Sequence, residues 1–264
     1  MRIQKLSPGI PKDWNQERSR AIIGSLMLSP LLISVRHPDD SMTAHEKACF
    51  EQATGCEVDL VHAMTTTLDR SWLEERPFIL CGGSGDFGVR DPHPWIHRFL
   101  DTLLDAIDLK VPSYASCFGF QGVALAMGGE VGRDPEKQEM GVIPLELTEA
   151  GNHDPLFSQL SSTFNAPLGH NDQVVRLPKG VTLLAQGELV EYQAFRVDGA
   201  PFWASQFHPE LTKANLVQRW EHYRDQFTTE LEVIQAVDTQ LYESPEAPEV
   251  HLLLRNLVAA AKKQ

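Results

Sequence analysis

The chain is 264 residues long, 42% hydrophobic, and carries a net charge of −13. That length suits one large α/β domain with additions, and the acidic balance repels phosphate backbones, so no nucleic-acid partner is expected. No run of ~18 apolar residues occurs, so no membrane span is expected. The four cysteines (Cys49, Cys56, Cys81, Cys117) form neither a Cys-x-x-Cys pair nor a Cys/His cluster with zinc spacing.

Residues 1–29 form an N-terminal extension, with a turn or arm at Pro8-Gly-Ile-Pro11 and a candidate helix over Trp14–Met27. The apolar stretch Ala21–Ile33 is broken by Gly24 and Pro30 and follows a charged segment, unlike a secretion signal. The cytosol is therefore the expected compartment. Leu31–Val35 reads as a buried first strand. Met42–Ala53 reads as a helix, with Ser41 as N-cap and Gly55 as its stop. Glu57–Met64 is the second strand, Leu68–Glu75 a short helix, Pro77–Leu80 the third strand, Pro94–Ile107 an amphipathic helix, and Val111–Tyr114 the next strand. Strands alternating with helices predict a doubly wound, mostly parallel sheet with helices on both faces. In such sheets the site lies at the carboxyl ends of the strands.

Further on, Glu139–Leu147, His170–Leu177, Thr182–Gly187, Tyr192–Val197 and Phe202–Phe207 are β-prone runs between Gly, Pro and Asp turns, as expected of added β-hairpins. Asp154-Pro-Leu-Phe157 opens a short helix or turn, and Thr212–Phe227 reads as a helix. The main domain is thus placed at 30–227. A C-terminal helical extension, 228–264, holds predicted helices over Glu230–Tyr242 and Leu252–Lys262 and reads first as a structural cap, with a partner-docking element as the alternative.

The chemistry centres on Cys117. The β-prone run Val111-Pro-Ser-Tyr-Ala-Ser meets this cysteine, and a small-residue helix follows at once. Such a strand–turn–helix elbow exposes one side chain at the top of the sheet, and the helix N-terminus behind it favours a thiolate. Gly119 lets the backbone come close and Gly122 lets the helix pack. Two distant stretches join it. Phe78-Ile-Leu-Cys-Gly-Gly-Ser-Gly-Asp86 is a strand running into a glycine turn, and Pro201-Phe-Trp-Ala-Ser-Gln-Phe-His-Pro-Glu210 is a strand running into His208.

Cys-Phe-Gly-Phe-Gln (117–121), Gln-Phe-His-Pro-Glu (206–210) and Gly-Gly-Ser-Gly-Asp (82–86) resemble, in the same order, the signature stretches of class I glutamine amidotransferases, in particular the glutaminase half of GMP synthase. The resemblance implies a flavodoxin-like α/β fold and a Cys117–His208–Glu210 triad. It implies an oxyanion hole from the backbone N–H groups of Gly83 and Phe118. It also implies substrate contacts by Gln121 and, in Leu168-Gly-His-Asn-Asp-Gln-Val174, by His170 and Asp172. Neither metal nor cofactor is implied. The sequence departs from the family at Ala115, usually glycine, at Ser116, usually aliphatic, and at Ser84, usually proline.

The expected activity is hydrolysis of the γ-carboxamide of glutamine, or of a γ-glutamyl amide, through a cysteinyl acyl-enzyme that releases ammonia. No Ser-Gly-Gly-Val-Asp-Ser-like ATP-site loop occurs in 228–264. Two enzyme readings stand: ammonia supply to a separate synthetase or acceptor subunit, or stand-alone γ-glutamyl peptidase action. A silent scaffold is the non-enzyme alternative, disfavoured by the intact triad residues. A redox sensor with a reactive elbow cysteine would have no need of the His-Pro-Glu segment.

Overall fold

The computed structural model describes residues 28–227 and 229–263. The candidate helix over Trp14–Met27 lies outside them. The sheet has nine strands. One half is parallel: β1 (Leu31–Ser34), β2 (Asp59–His62), β3 (Ile79–Cys81), β4 (Ser113–Ser116) and β11 (Phe202–Ser205), in the order β2-β1-β3-β4-β11. An antiparallel half continues from β11 through β10 (Ala194–Val197), β9 (Val181–Gln186), β6 (Glu139–Leu147) and β7 (Thr163–His170). A separate two-stranded ribbon pairs β5 (Glu130–Arg133) with β8 (Asp172–Arg176).

β1, β3, β4 and β11 are short and fully buried because both faces of the sheet are covered there. On β1, Leu32 faces one core layer and Leu31 and Ile33 the other, as the two-residue period of a strand requires. The first layer holds α1 (Met42–Thr54), α6 (Lys213–Phe227) and α8 (His251–Ala261); Leu253, Leu254 and Leu257 of α8 are fully buried there. The second layer holds α3 (Pro94–Asp108) and α4 (Phe118–Ala126), where Phe99 packs on Phe118 with ring centroids 5.7 Å apart. The remaining helices are α2 (Arg70–Glu74), α5 (Glu149–His153) and α7 (Leu231–Glu243).

Several elements differ from the sequence expectation. Gly55 ends α1 in the left-handed region (φ 70°), as predicted, but Ser41 makes no side-chain cap. Asp40 does that work instead, its Oδ1 accepting from the Met42 N–H at 2.8 Å. The expected strand over His170–Leu177 is broken at Asn171, with His170 ending β7 in the large sheet and Asp172 opening β8 in the ribbon. The local pattern predicts neither β5 nor most of β7. β7 contains Pro167, which is tolerated because β7 is the edge of the sheet.

Candidate active site

The glycine turn, Cys117 and His208 follow β3, β4 and β11, which are adjacent in the sheet. Parallel pairing brings all three strand ends to one edge. Cys117 stands between β4 and α4 with φ 51° and ψ −102°, a conformation that a residue with a side chain adopts only at a cost. Its N–H donates to the Ser205 carbonyl (2.8 Å), and its carbonyl accepts the first helical bond from Gln121 (3.0 Å). The elbow is closed by Gly119: a Cβ there would lie 2.9 Å from the Ala115 methyl and 3.1 Å from Cys81 Cβ. The alanine at 115 is accommodated because residue 119 has no side chain.

His208 is buried. Its Nδ1 lies 2.7 Å from Glu210 Oε1, and its Nε2 and the Cys117 Cβ flank Gly83, 3.6 Å and 3.4 Å from where a Cβ on that glycine would stand. With Nδ1–H donating to Glu210, Nε2 is the ring nitrogen left to exchange a proton with a neighbouring thiol. Burial alone would lower the His208 pKa, but the Glu210 carboxylate and Cys117 outweigh it and raise it to about 9. Burial likewise pushes Glu210 up, and His208 and then Arg219 outweigh that, bringing it to about 2. Burial raises the Cys49 thiol to about 12 and pushes the Cys81 thiol up as well, so both stay protonated and unreactive at neutral pH.

Charged side chains that the sequence reading does not single out surround His208 and Glu210. Arg219 of α6 places Nη1 3.3 Å from Glu210 Oε1. Its Nη2 lies 3.8 Å from Glu46 Oε1, and Glu46 also pairs with Arg36 at 3.2 Å. Asp40 contacts Arg36 at 3.4 Å. Two arginines thus face three carboxylates, and a protonated His208 balances them. Glu46 had a readable signal. It falls with Met42, Cys49, Phe50 and Ala53 on the buried stripe of α1, where a carboxylate demands partners.

The glycine turn presses on the pair. A Cβ at Gly83 would lie 2.8 Å from His208 Cε1 and 3.4 Å from Cys117 Cβ. Gly83→Ala is therefore expected to displace the imidazole and cut kcat roughly 100-fold, since small misplacements of reacting groups carry that cost. Steady-state kinetics beside a thermal melt would separate this from misfolding. The Gly83 N–H, expected as an oxyanion donor, donates here to Glu46 Oε1 at 3.2 Å. Phe118 opens α4, so its N–H belongs to the group that a helix cannot satisfy internally.

The expected substrate contacts are partly engaged elsewhere. Gln121 is buried, and its Nε2 donates to the Asp172 carbonyl (2.7 Å) and to Gln206 Oε1 (3.2 Å). Gln206 in turn points Nε2 toward Cys117 Sγ at 3.8 Å, a contact the sequence reading does not assign. The Asp172 carboxylate is held by Arg133 Nε at 2.6 Å. His170 Nε2 meets Glu139 Oε2 at 2.9 Å, and Gln193 donates to the same oxygen at 2.8 Å. His170 and Arg133 both border a cavity of about 1250 Å³, and a separate chamber of about 50 Å³ is lined by Gly83, His208 and Arg219. Among the described residues no His/Cys/Asp/Glu group could hold a metal ion, and no helix is long and apolar enough to cross a membrane.

The His208–Glu210 pair has a signature in stability. A histidine raised from 6.5 to about 9 adds stability that is complete below 6.5 and lost as pH rises through 9. A carboxylate lowered from 4.5 to about 2 adds stability present above 4.5 and lost as pH falls toward 2. This pair's contribution to Tm is therefore expected to be greatest between pH 4.5 and 6.5. Thermal melts across pH should show Glu210→Gln flattening the decline on both sides.

Comparison with known proteins agrees with this architecture. The family model for Glutamine amidotransferase class-I matches residues 37–220. The chain is 31% identical over 138 residues to a GMP synthase (glutamine-hydrolyzing) subunit from Methanocaldococcus jannaschii, covering 52% of this chain and 66% of that one. It is 30% identical over 140 residues to the GMP synthase (glutamine-hydrolyzing) of Thermosipho africanus, covering 53% of this chain and 25% of that one. The matched stretch is thus less than two thirds of either relative. Among solved structures, a glutamine amidotransferase from Thermotoga maritima superposes with a TM-score of 0.66 at 18% identity, covering 90% of this chain and 100% of that one. One from Methylobacillus flagellatus does so at 0.66 and 17%, covering 89% and 95%. With the family model spanning most of the chain and the fold shared with these structures, the protein belongs to the class-I glutamine amidotransferase family.

Proposed function

We propose that the chain hydrolyses the γ-carboxamide of glutamine, or a γ-glutamyl amide, with Cys117 as nucleophile, His208 as acid–base and Glu210 as the residue that orients His208. The observation that carries this reading is the strained elbow at Cys117, in contact with a buried histidine held 2.7 Å from a carboxylate. Cys117 Sγ bonds to the amide carbon and the carbonyl electrons move to oxygen. His208 then gives its proton to the departing nitrogen as the C–N bond breaks. Water, losing a proton to His208, cleaves the thioester to release glutamate and restore the thiol. The Phe118 N–H stabilises the oxyanion. For the Gly83 N–H to join it, the Gly82–Gly83 peptide must turn from Glu46. His170 borders the cavity where the glutamyl group would lie, and Asp172 acts from behind Arg133.

In this reading residues 30–227 are the catalytic domain and 228–264 an addition docked on it. The Methanocaldococcus jannaschii relative is called a subunit, which supports a second reading in which the ammonia goes to a separate acceptor protein. The test is ammonia and glutamate release from L-glutamine, with Cys117→Ala as control and labelling by a glutamine-like electrophile alongside. Turnover that disappears in the control is the expected result. Labelling of Cys117 without turnover points to another amide or a required partner. The absence of both overturns the assignment.

A further inference from the structure

Helix α7 lies wholly beyond residue 220, where the family match ends. It is nevertheless built into the molecule beside the site. Trp220 Nε1 donates to Asp238 Oδ1 at 2.7 Å, and Lys213 Nζ donates to the carbonyls of Tyr242 (2.7 Å) and Ser244 (2.6 Å). Strand β6 makes room for the helix at Gly141, where a Cβ would come within 3.3 Å of Gln240 Nε2.

The result is a wall. Val233, Val237 and Gln240 of α7 line the 1250 Å³ cavity together with Ile143 of β6 and Leu189. This volume exceeds the ~300–1,000 Å³ typical of small-molecule sites. Gly85, Met140 and Trp220 line both this cavity and the chamber at His208, so the two are neighbours. β6 runs along the cavity from Glu139, the partner of His170, to Pro144, about 17 Å at strand spacing. The cavity's lining is polar at His170 and Arg133 and apolar at Ile143, Leu189 and Val233. Leu189 and Val233 stand 47% and 41% exposed, among the few large apolar side chains not covered. Ammonia, the leaving group of glutamine, needs none of this space.

We propose that the amine released by this enzyme carries an apolar carbon skeleton, seated against Val233, Val237, Ile143 and Leu189, so that α7 selects γ-glutamyl amides of aromatic or branched amines over glutamine. This rests on the hydrolase reading above. The bond changes are those already given, with the substituted amine leaving in place of ammonia.

The test compares kcat/KM for γ-L-glutamyl benzylamide and L-glutamine, using the full chain and the exposed-site variants Leu189→Asp and Val233→Asp. The benzylamide is expected to be preferred by at least about 10-fold, as apolar pocket contacts typically allow. Each variant is expected to lose about that factor for the benzylamide while leaving glutamine within about two-fold. Hydrolysis of glutamine with no preference for the benzylamide, or variants that leave both substrates unchanged, would overturn this proposal and leave the hydrolase reading standing. Labelled Cys117 with neither amide cleaved would also overturn it. No cleavage and no labelling would instead remove the hydrolase reading beneath it.

Discussion

Cys117→Ala is expected to lower kcat/KM for γ-carboxamide hydrolysis by roughly four to six orders of magnitude, the range found when a triad nucleophile is removed. Nothing nearby substitutes for it. Cys81 is fully buried beneath the elbow, and burial holds the Cys49 thiol protonated. The fold should survive, because alanine keeps the same backbone demand at φ 51° and removes only one sulfur. An unchanged melting temperature beside lost turnover and lost alkylation is therefore the expected pair of results. Turnover surviving the substitution would exclude this cysteine as the nucleophile. Cys117→Ser is expected to be nearly as inactive, since a hydroxyl is a far weaker nucleophile than a thiolate.

His208→Ala is expected to cost roughly four to six orders of magnitude near neutral pH, about as much as loss of the nucleophile. Unlike the cysteine variant, it should regain part of the loss as pH rises, because hydroxide can generate the thiolate that the imidazole no longer generates. That partial rescue separates a missing base from a collapsed site. The variant should also be destabilised by about 1–3 kcal/mol, the usual cost of removing one hydrogen-bond partner from a buried group, with Arg219 still holding Glu210. Without His208, Arg36 and Arg219 face Glu46, Asp40 and Glu210 with one anion in excess. Chemical denaturation of the two variants would show the contrast: little change for Cys117→Ala, a large one for His208→Ala. If both parts of this expectation fail, with His208→Ala stable and active, the cysteine works without the histidine and a redox role regains force.

The core of the fold was legible because its signals are local. Leu31–Ser34 is an uninterrupted apolar run, α1 stops at a glycine, and α3 starts at Pro94. Each follows from side-chain pattern and backbone preference within a few residues. The three strand-end motifs were legible for a related reason. An elbow cysteine, a glycine turn and a strand-end histidine are each written in a handful of consecutive residues, and parallel pairing leaves one edge on which they can meet.

What lay beyond the sequence is what depends on packing between distant segments. Strand β5 is a short, half-charged run whose hydrogen bonds come from β8, some forty residues on. β7 carries a proline that argues locally against a strand, and only its place at the sheet edge makes it one. The partners of the site residues were equally hidden. Glu46 on α1 and Arg219 on α6 meet because two helices share one core layer. That contact takes the N–H of Gly83 and anchors Glu210. Asp172 shares β8 with Arg176, yet folding pairs it with Arg133 of β5 instead. Residue types and short spacings select the kind of chemistry, since reactivity begins with the side chain. Which groups are paired, buried or left facing a cavity is decided by contacts across long loops, and no local pattern encodes them.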